Sequence, residues 1–325
     1  MKKTLLLSAL AAGLASVALA DPSGKLVLYT SQPNADAQQT VDAFTAKYPD
    51  VEVEWFRDGT TQVMAKLAAE FEAGQPQPDV LLIADMVTME GLEADGRLMA
   101  YPEADTSAYD PQTMDPEGHY FSTKLITTGI VYNTSAEMIP TSWNDLLKPE
   151  ANGQIVMPSP LTSGAATIHM AALTSNPDLG WALYEGLADQ GTNPQGGNGG
   201  VYKAVAGGEK LYGFVVDFLP IRELANGAPV AFVFPEEGVS AVTEPVAILS
   251  TAQNPEAAKA FVDFLISTEG QELAASMGYL PAHPDVAAPA GFPAMSEIKL
   301  MEFDPAKALA EDQANKEKFL EIFGG

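Results

Sequence analysis

Hydrophobic residues along this chain fall alternately into short continuous runs, which suit buried strands, and into three-to-four-residue spacings, which suit helices facing a core. Residues 25–30 read as a buried strand, and residues 35–47 as a helix with Val41 and Phe44 turned inward and Pro49 stopping it. Residues 51–56 alternate as a second strand. Asp58-Gly59-Thr60 then caps a helix on which Val63, Leu67 and Phe71 recur at helical spacing, and residues 80–84 give a third apolar strand. Strand, helix, strand, helix, strand predicts a parallel sheet, because neighbours running the same way need a helical crossover.

The rest of the chain repeats the theme. Residues 125–132 are a strand, 143–147 a short helix after Pro140, and 154–157 a strand leading into a helix that opens at Ser163. Asn176-Pro177 caps another helix with Leu179, Leu183 and Leu187 on one face. A glycine- and asparagine-rich loop over 191–200, a short helix over 201–206 and a strand over 211–216 ending at Asp217-Phe218 come next. Late strands at 230–234 and 246–249 precede a helix begun by Asn254-Pro255, with Ala258, Phe261, Val262 and Leu265 inward. A last helical stretch over 268–277 closes on Gly278.

The first twenty residues depart from this pattern. Lys2 and Lys3, an apolar segment from Leu5 to Val17, and Ala18-Leu19-Ala20 before Asp21 have the layout of a cleaved export signal over residues 1–20. The chain has no cysteine, which excludes a disulfide framework and a lipid-modified cysteine and makes the periplasm the expected destination. The formal net charge of −26 grows two units more negative when Lys2 and Lys3 leave with the signal. Such a surface repels polyphosphates, so nucleic acid is excluded as a partner. The length that remains exceeds what one core usually supports, and two domains are expected.

Candidate chemistry centres on helix starts. The first amides of a helix lack intrahelical partners and sit at its positive end, so Thr162-Ser163-Gly164-Ala165 is either an ordinary cap or an anion site. Gln195-Gly196-Gly197-Asn198-Gly199-Gly200 lacks the Lys-Ser/Thr of a nucleotide loop and reads as a flexible loop. No G-x-S-x-G elbow, H-E-x-x-H or Ser-His-Asp order occurs, so a secreted hydrolase is the lesser reading. His119, His169 and His283 show no metal-cage spacing, and no cofactor or metal is expected.

Several segments, in order, carry a family resemblance: Leu28-Tyr29-Thr30-Ser31, Arg57-Asp58-Gly59-Thr60, Pro140 through Leu147, Met157-Pro158-Ser159-Pro160 followed by Ser163-Gly164, and Asn254 through Leu265. Together they resemble the periplasmic solute-binding proteins of ATP-binding-cassette importers, in the branch of ferric-iron, 2-aminoethylphosphonate and sugar-phosphate binders. The resemblance implies an α/β, two-lobed periplasmic binding protein fold of type II, each lobe a mixed, mostly parallel sheet flanked by helices. Lobe 1 is expected over 21–124 and 236–290 and lobe 2 over 125–235 and 291–325, with hinge crossings near 125–131 and 234–246. A monomer that closes on a small solute and is read by a membrane permease is implied, with no bond in the solute broken.

Ferric binders of this branch resemble one another in an adjacent tyrosine pair before an Arg-Glu helix. Aligned on Arg222-Glu223, this chain has Val215, Val216, Asp217 and Phe218 there, so iron becomes the alternative, with a polyamine- or thiamine-like cation third. The leading reading is a phosphonate or phosphate carrying a cationic tail. Thr30, Ser31, Thr60, Ser159, Ser163, Gly164 and Ala165 are expected as donors to the anion, Arg57 as a bidentate partner, and Asn198 as a further contact. Asp85, Asp217 and Glu237, at strand ends or near the recrossing, are expected to meet the ammonium, with Phe218 walling the cavity.

Overall fold

The computed structural model describes residues 21–324, so the expected export signal lies outside the described residues. The chain runs β1 (Gly24–Thr30), α1 (Asn34–Lys47), β2 (Val51–Arg57), α2 (Thr60–Glu72), β3 (Val80–Leu82), α3 (Met86–Ala94), β4 (Tyr120–Ser122), β5 (Lys124–Asn133), β6 (Ile155–Met157) and α4 (Gly164–Ser175). It continues with α5 (Gly180–Asp189), β7 (Asn193–Pro194), α6 (Asn198–Ala206), β8 (Tyr212–Val216), α7 (Phe218–Ala225), β9 (Val230–Val233), β10 (Ser240–Val242), β11 (Pro245–Ile248), α8 (Pro255–Ile266), α9 (Thr268–Ser276), β12 (Leu280–Pro281) and α10 (Pro305–Phe323).

These strands form two sheets. The first has the order β2-β1-β3-β11-β4, with β1 parallel to β2 and β3, and β11 antiparallel to β3 and β4. Its central strands show why the sequence ran apolar without alternation. Leu26, Leu28, Val80 and Leu82 pack into one core with Phe44 and Phe261, while Tyr29, Leu81 and Ile83 enter a second core on the opposite face. Period-two side chains thus fill both layers, as a sheet covered on both faces requires. Removing Phe261 to the β-carbon is expected to cost about 3–5 kcal/mol by opening a cavity beside Phe44, whose ring it meets edge-on at 4.9 Å.

The second sheet has the order β10-β5-β8-β6-β7, with β9 and β12 also on β5. Among the described residues, only β4-to-β5 and β10-to-β11 carry the chain directly from a strand of one sheet to a strand of the other, at Thr123 and at Thr243-Glu244. The amides of Thr123 and Lys124 both donate to the Thr243 carbonyl, at 3.2 and 3.3 Å, tying the two crossings together. Residues 125–131 lie within β5, so the first crossing falls just before the stretch expected for it.

Four helices differ from expectation, one of them α10, which follows the last stretch expected to be helical. α3 follows β3 directly and is capped by Asp85, whose Oδ1 accepts from the Thr88 amide and Oδ2 from its hydroxyl. α5 starts at Gly180, because Asn176 ends α4 and its side chain accepts from the Asp178 amide instead. α6 begins at Asn198, so the last three residues of the loop expected over 191–200 are helical.

On α4, the buried His169 places Nδ1 3.0 Å from Ser240 Oγ and its ring against Trp143 and Phe214. Burial lowers its pKa from 6.5 to about 3. A depressed imidazole pKa means the unfolded chain binds a proton that the native one refuses, so stability is lost as pH falls from 6.5 toward 3. Thermal melts of His169→Phe across that range are expected to show a shallower acid decline than the native protein.

Candidate functional site

A cleft of about 560 Å³ opens between the two sheets. Its walls are built from the N-terminal ends of three helices, whose first amides lack intrahelical partners. At α2, Gly59 occupies the cap position with no capping side chain, and Asp58 Oδ1 accepts from the Gly59 amide at 2.8 Å. At α6, Gly197 likewise offers no capping side chain. At α4, Ser163 Oγ accepts from the Ala166 amide at a long 3.4 Å. Residues 59–60, 163–165 and 197–200 all line the cleft, so three positive helix ends meet in one cavity.

The elements are fastened where this demands it. Asn198 Nδ2 donates to Ser163 Oγ at 3.2 Å and its Oδ1 accepts from the Val216 amide at 3.1 Å, which fixes α6 to both α4 and β8. Gly164 permits the close approach of the two halves. A β-carbon there would lie 2.6 Å from the Ala84 carbonyl oxygen and 2.8 Å from Asp85 Cβ, atoms that follow β3 in the other sheet. Ser31 Oγ accepts from the Ala84 amide at 3.0 Å on the same wall.

Two cations complete the lining. Arg57 is steadied by backbone oxygens, with Nε donating to the Gln32 carbonyl at 2.6 Å, and it pairs with no carboxylate among the described residues. Lys203 lies one turn into α6, and its ammonium makes no ion pair or hydrogen bond among the described residues. Lys210, Lys299, Lys307 and Lys318 also pair with no carboxylate among the described residues, but Arg57 and Lys203 are the two such side chains that line this cavity. Asp58 and Glu244 are the acidic residues of the lining, and Phe218 and Leu219 add apolar surface.

Of the residues expected from sequence, Ser31, Arg57, Thr60, Ser163, Gly164, Ala165 and Asn198 line the cleft, as does Phe218. The other five are engaged elsewhere. Thr30 is fully buried at the end of β1, its hydroxyl accepting from the Gln32 amide. Ser159 Oγ accepts from the Leu161 amide and shapes the turn before α4. Asp85 caps α3 beneath Gly164. Asp217 corrects the expectation of an ammonium partner: it is 0% exposed, and its carboxylate accepts from the Thr127 amide and hydroxyl and from the Phe218 amide. Burial pushes its pKa up to about 7. Glu237 is likewise a structural anchor, bonded to the Ser142 hydroxyl and the Trp143 amide and bordering a different groove.

Sequence reading missed Lys203, Gln62, Glu244 and the free amides of 197–199 as cleft residues. Lys203 had a usable signal, since it falls one turn beyond Asn198 once the helix is started there. No tyrosine lines the cleft among the described residues: Tyr212 is buried with its hydroxyl donating to the Met138 carbonyl. His119, isolated in sequence, comes together with Glu93 and Glu117 outside the cleft, their ligand-type atoms within 4.8 Å of one another.

Residues 26–280 match the family model of the bacterial extracellular solute-binding proteins. An uncharacterized protein of Haemophilus influenzae is 29% identical over 293 residues, spanning 83% of this chain and 80% of its own length. The periplasmic binding protein AfuA of Actinobacillus pleuropneumoniae, solved with exogenous fructose-6-phosphate bound, superimposes with a TM-score of 0.83 at 26% identity, covering 92% of this chain and 98% of its own. Iron-bound HitA of Pseudomonas aeruginosa shares the fold, with a TM-score of 0.78 at 22% identity over 91% of this chain and 99% of its own. With the two sheets, the cleft between them and this match over most of its length, the chain belongs to the bacterial extracellular solute-binding proteins, the periplasmic binding components of ATP-binding-cassette importers.

Proposed function

We propose that this protein captures a small phosphate- or phosphonate-bearing solute in the interlobe cleft and delivers it unchanged to its permease. The observation that carries the reading is the convergence of three helix N-termini with the carboxylate-free cations Arg57 and Lys203, in a protein otherwise strongly acidic. Fixed amides and two cations neutralise a dianion in a cavity partly screened from water, where each contact is stronger than on an open surface. The sugar phosphate held by AfuA agrees with this chemistry. Ferric iron, which the cleft would have to bind with Asp58 and Glu244 and no phenolate, fits the lining less well.

Binding to the native state alone raises stability by mass action, about 4 kcal/mol when the ligand exceeds its Kd a thousandfold. A thermal-shift screen of ligand-stripped protein is therefore expected to give a rise of several degrees with phosphate esters or phosphonates and none with polyamines. A rise with ferric salts and none with phosphate compounds would replace this reading with the iron one. Release of inorganic phosphate from the bound ester would replace it with a hydrolase.

A further inference from the structure

We propose that Glu244 makes the cleft select phosphate-bearing solutes that also carry a hydrogen-bond donor, a hydroxyl or an ammonium, over bare phosphate and donor-free phosphate esters. This rests on the anion reading above and adds to it the chemistry of the solute's other end.

A carboxylate accepts hydrogen bonds and donates none, so its presence in a cavity lined by amides and cations needs a reason. Glu244 lies in the second crossing between the sheets, and its carboxylate is fixed. Lys124 Nζ sits 2.5 Å from Oε2 with both side chains 3% exposed, and Gln32 Nε2 donates to the same oxygen at 3.3 Å. Both contacts fall on Oε2, which leaves Oε1 for a ligand group. A second anion is repelled there, whereas a donor is rewarded, and discrimination of this kind uses repulsion as well as attraction.

The backbone holds the residue in place at a cost. Glu244 has φ 38°, the one non-glycine residue in the left-handed region among the described residues. The Thr123 hydroxyl donates to its carbonyl at 2.7 Å, keeping it there. Strain retained in this way clusters at ligand clamps and hinges. Gln32 supplies the link to the anion end, because the residue whose side chain steadies Glu244 also accepts from Arg57 Nε at 2.6 Å. The spacing between the cation and the carboxylate is thereby set by one residue, and a solute that bridges them presents an anion to one and a donor to the other.

The test is titration calorimetry of ligand-stripped protein with glycerol 3-phosphate, 2-aminoethylphosphonate, methyl phosphate and inorganic phosphate. The native protein is expected to favour at least one of the first two over both of the others by tenfold or more. In Glu244→Gln that preference should fall below about threefold, with methyl phosphate bound as well as before or better once the repulsion is gone. Because this change leaves Lys124 buried without its counter-charge, the paired variant Lys124→Met with Glu244→Gln carries the test if the single one fails to fold. A residue with a purely structural role would weaken all four probes by a common factor. A preference that survives in a folded variant, or none in the native protein, overturns the inference. Failure of every phosphate compound to bind overturns the anion reading itself.

Discussion

Exchange of Gly164 for valine is expected to lower solute affinity by two orders of magnitude or more, about 3 kcal/mol, without unfolding the protein. Gly164 belongs to the helix that follows a strand of the second sheet, and it abuts Ala84, Asp85 and Thr60 from the first. The atom nearest to an added β-carbon is the Ala84 carbonyl oxygen at 2.6 Å, and Asp85 Cβ at 2.8 Å and Thr60 Oγ1 at 3.0 Å follow. A backbone carbonyl cannot swing aside as a flexible side chain can, so the halves must part. Parting them separates the α4 amides from those of α2, and the solute loses donors from one wall. The helix itself tolerates valine at its first turn, where the cost in propensity is below about 1 kcal/mol. Thermal melting within a few degrees of the native protein, beside lost binding in calorimetry, is the expected pair of results. Unchanged affinity would show that this approach is not required for capture.

The second large effect belongs to the cations. Charge-assisted hydrogen bonds contribute roughly 1.5–3 kcal/mol each, so Arg57→Ala and Lys203→Ala should each weaken phosphate-ester binding by about tenfold or more, and the double variant by at least a hundredfold. Stability is expected to change little, since neither side chain is paired with a carboxylate among the described residues. Lys203→Glu should be worse than Lys203→Ala because it adds repulsion. Binding in the native protein should also weaken as salt rises, and less so in the double variant. Calorimetry at two ionic strengths measures both. An affinity indifferent to both cations would mean that the anion is held elsewhere.

Much of the architecture was legible because its central strands are buried on both faces. Residues 26–29 and 80–83 are apolar without interruption for that reason, and Asn254-Pro255 and Gly278 mark real helix ends. The helix over 201–206 was legible but its true start was hidden, because Asn198, Gly199 and Gly200 are poor helix formers. Tertiary contacts override that weakness: Asn198 is held by Ser163 and by the Val216 amide. Lys203 disappeared with the helix start. Asp217 shows the other limit. Its place at a strand end was read correctly, but a sequence does not reveal whether a carboxylate turns toward the cavity or back onto Thr127, and here it turns back. Glu244 was missed because its importance comes from Lys124 and Gln32, 120 and 212 positions away in the chain.

Native mass spectrometry of the protein released from the periplasm without denaturation, with phosphorus analysis of what leaves the cleft, tests the central claim most directly. One phosphorus-containing solute per chain is expected, intact on release and absent from the Arg57→Ala, Lys203→Ala variant. Stoichiometric iron, or a solute without phosphorus that persists in that variant, would contradict it.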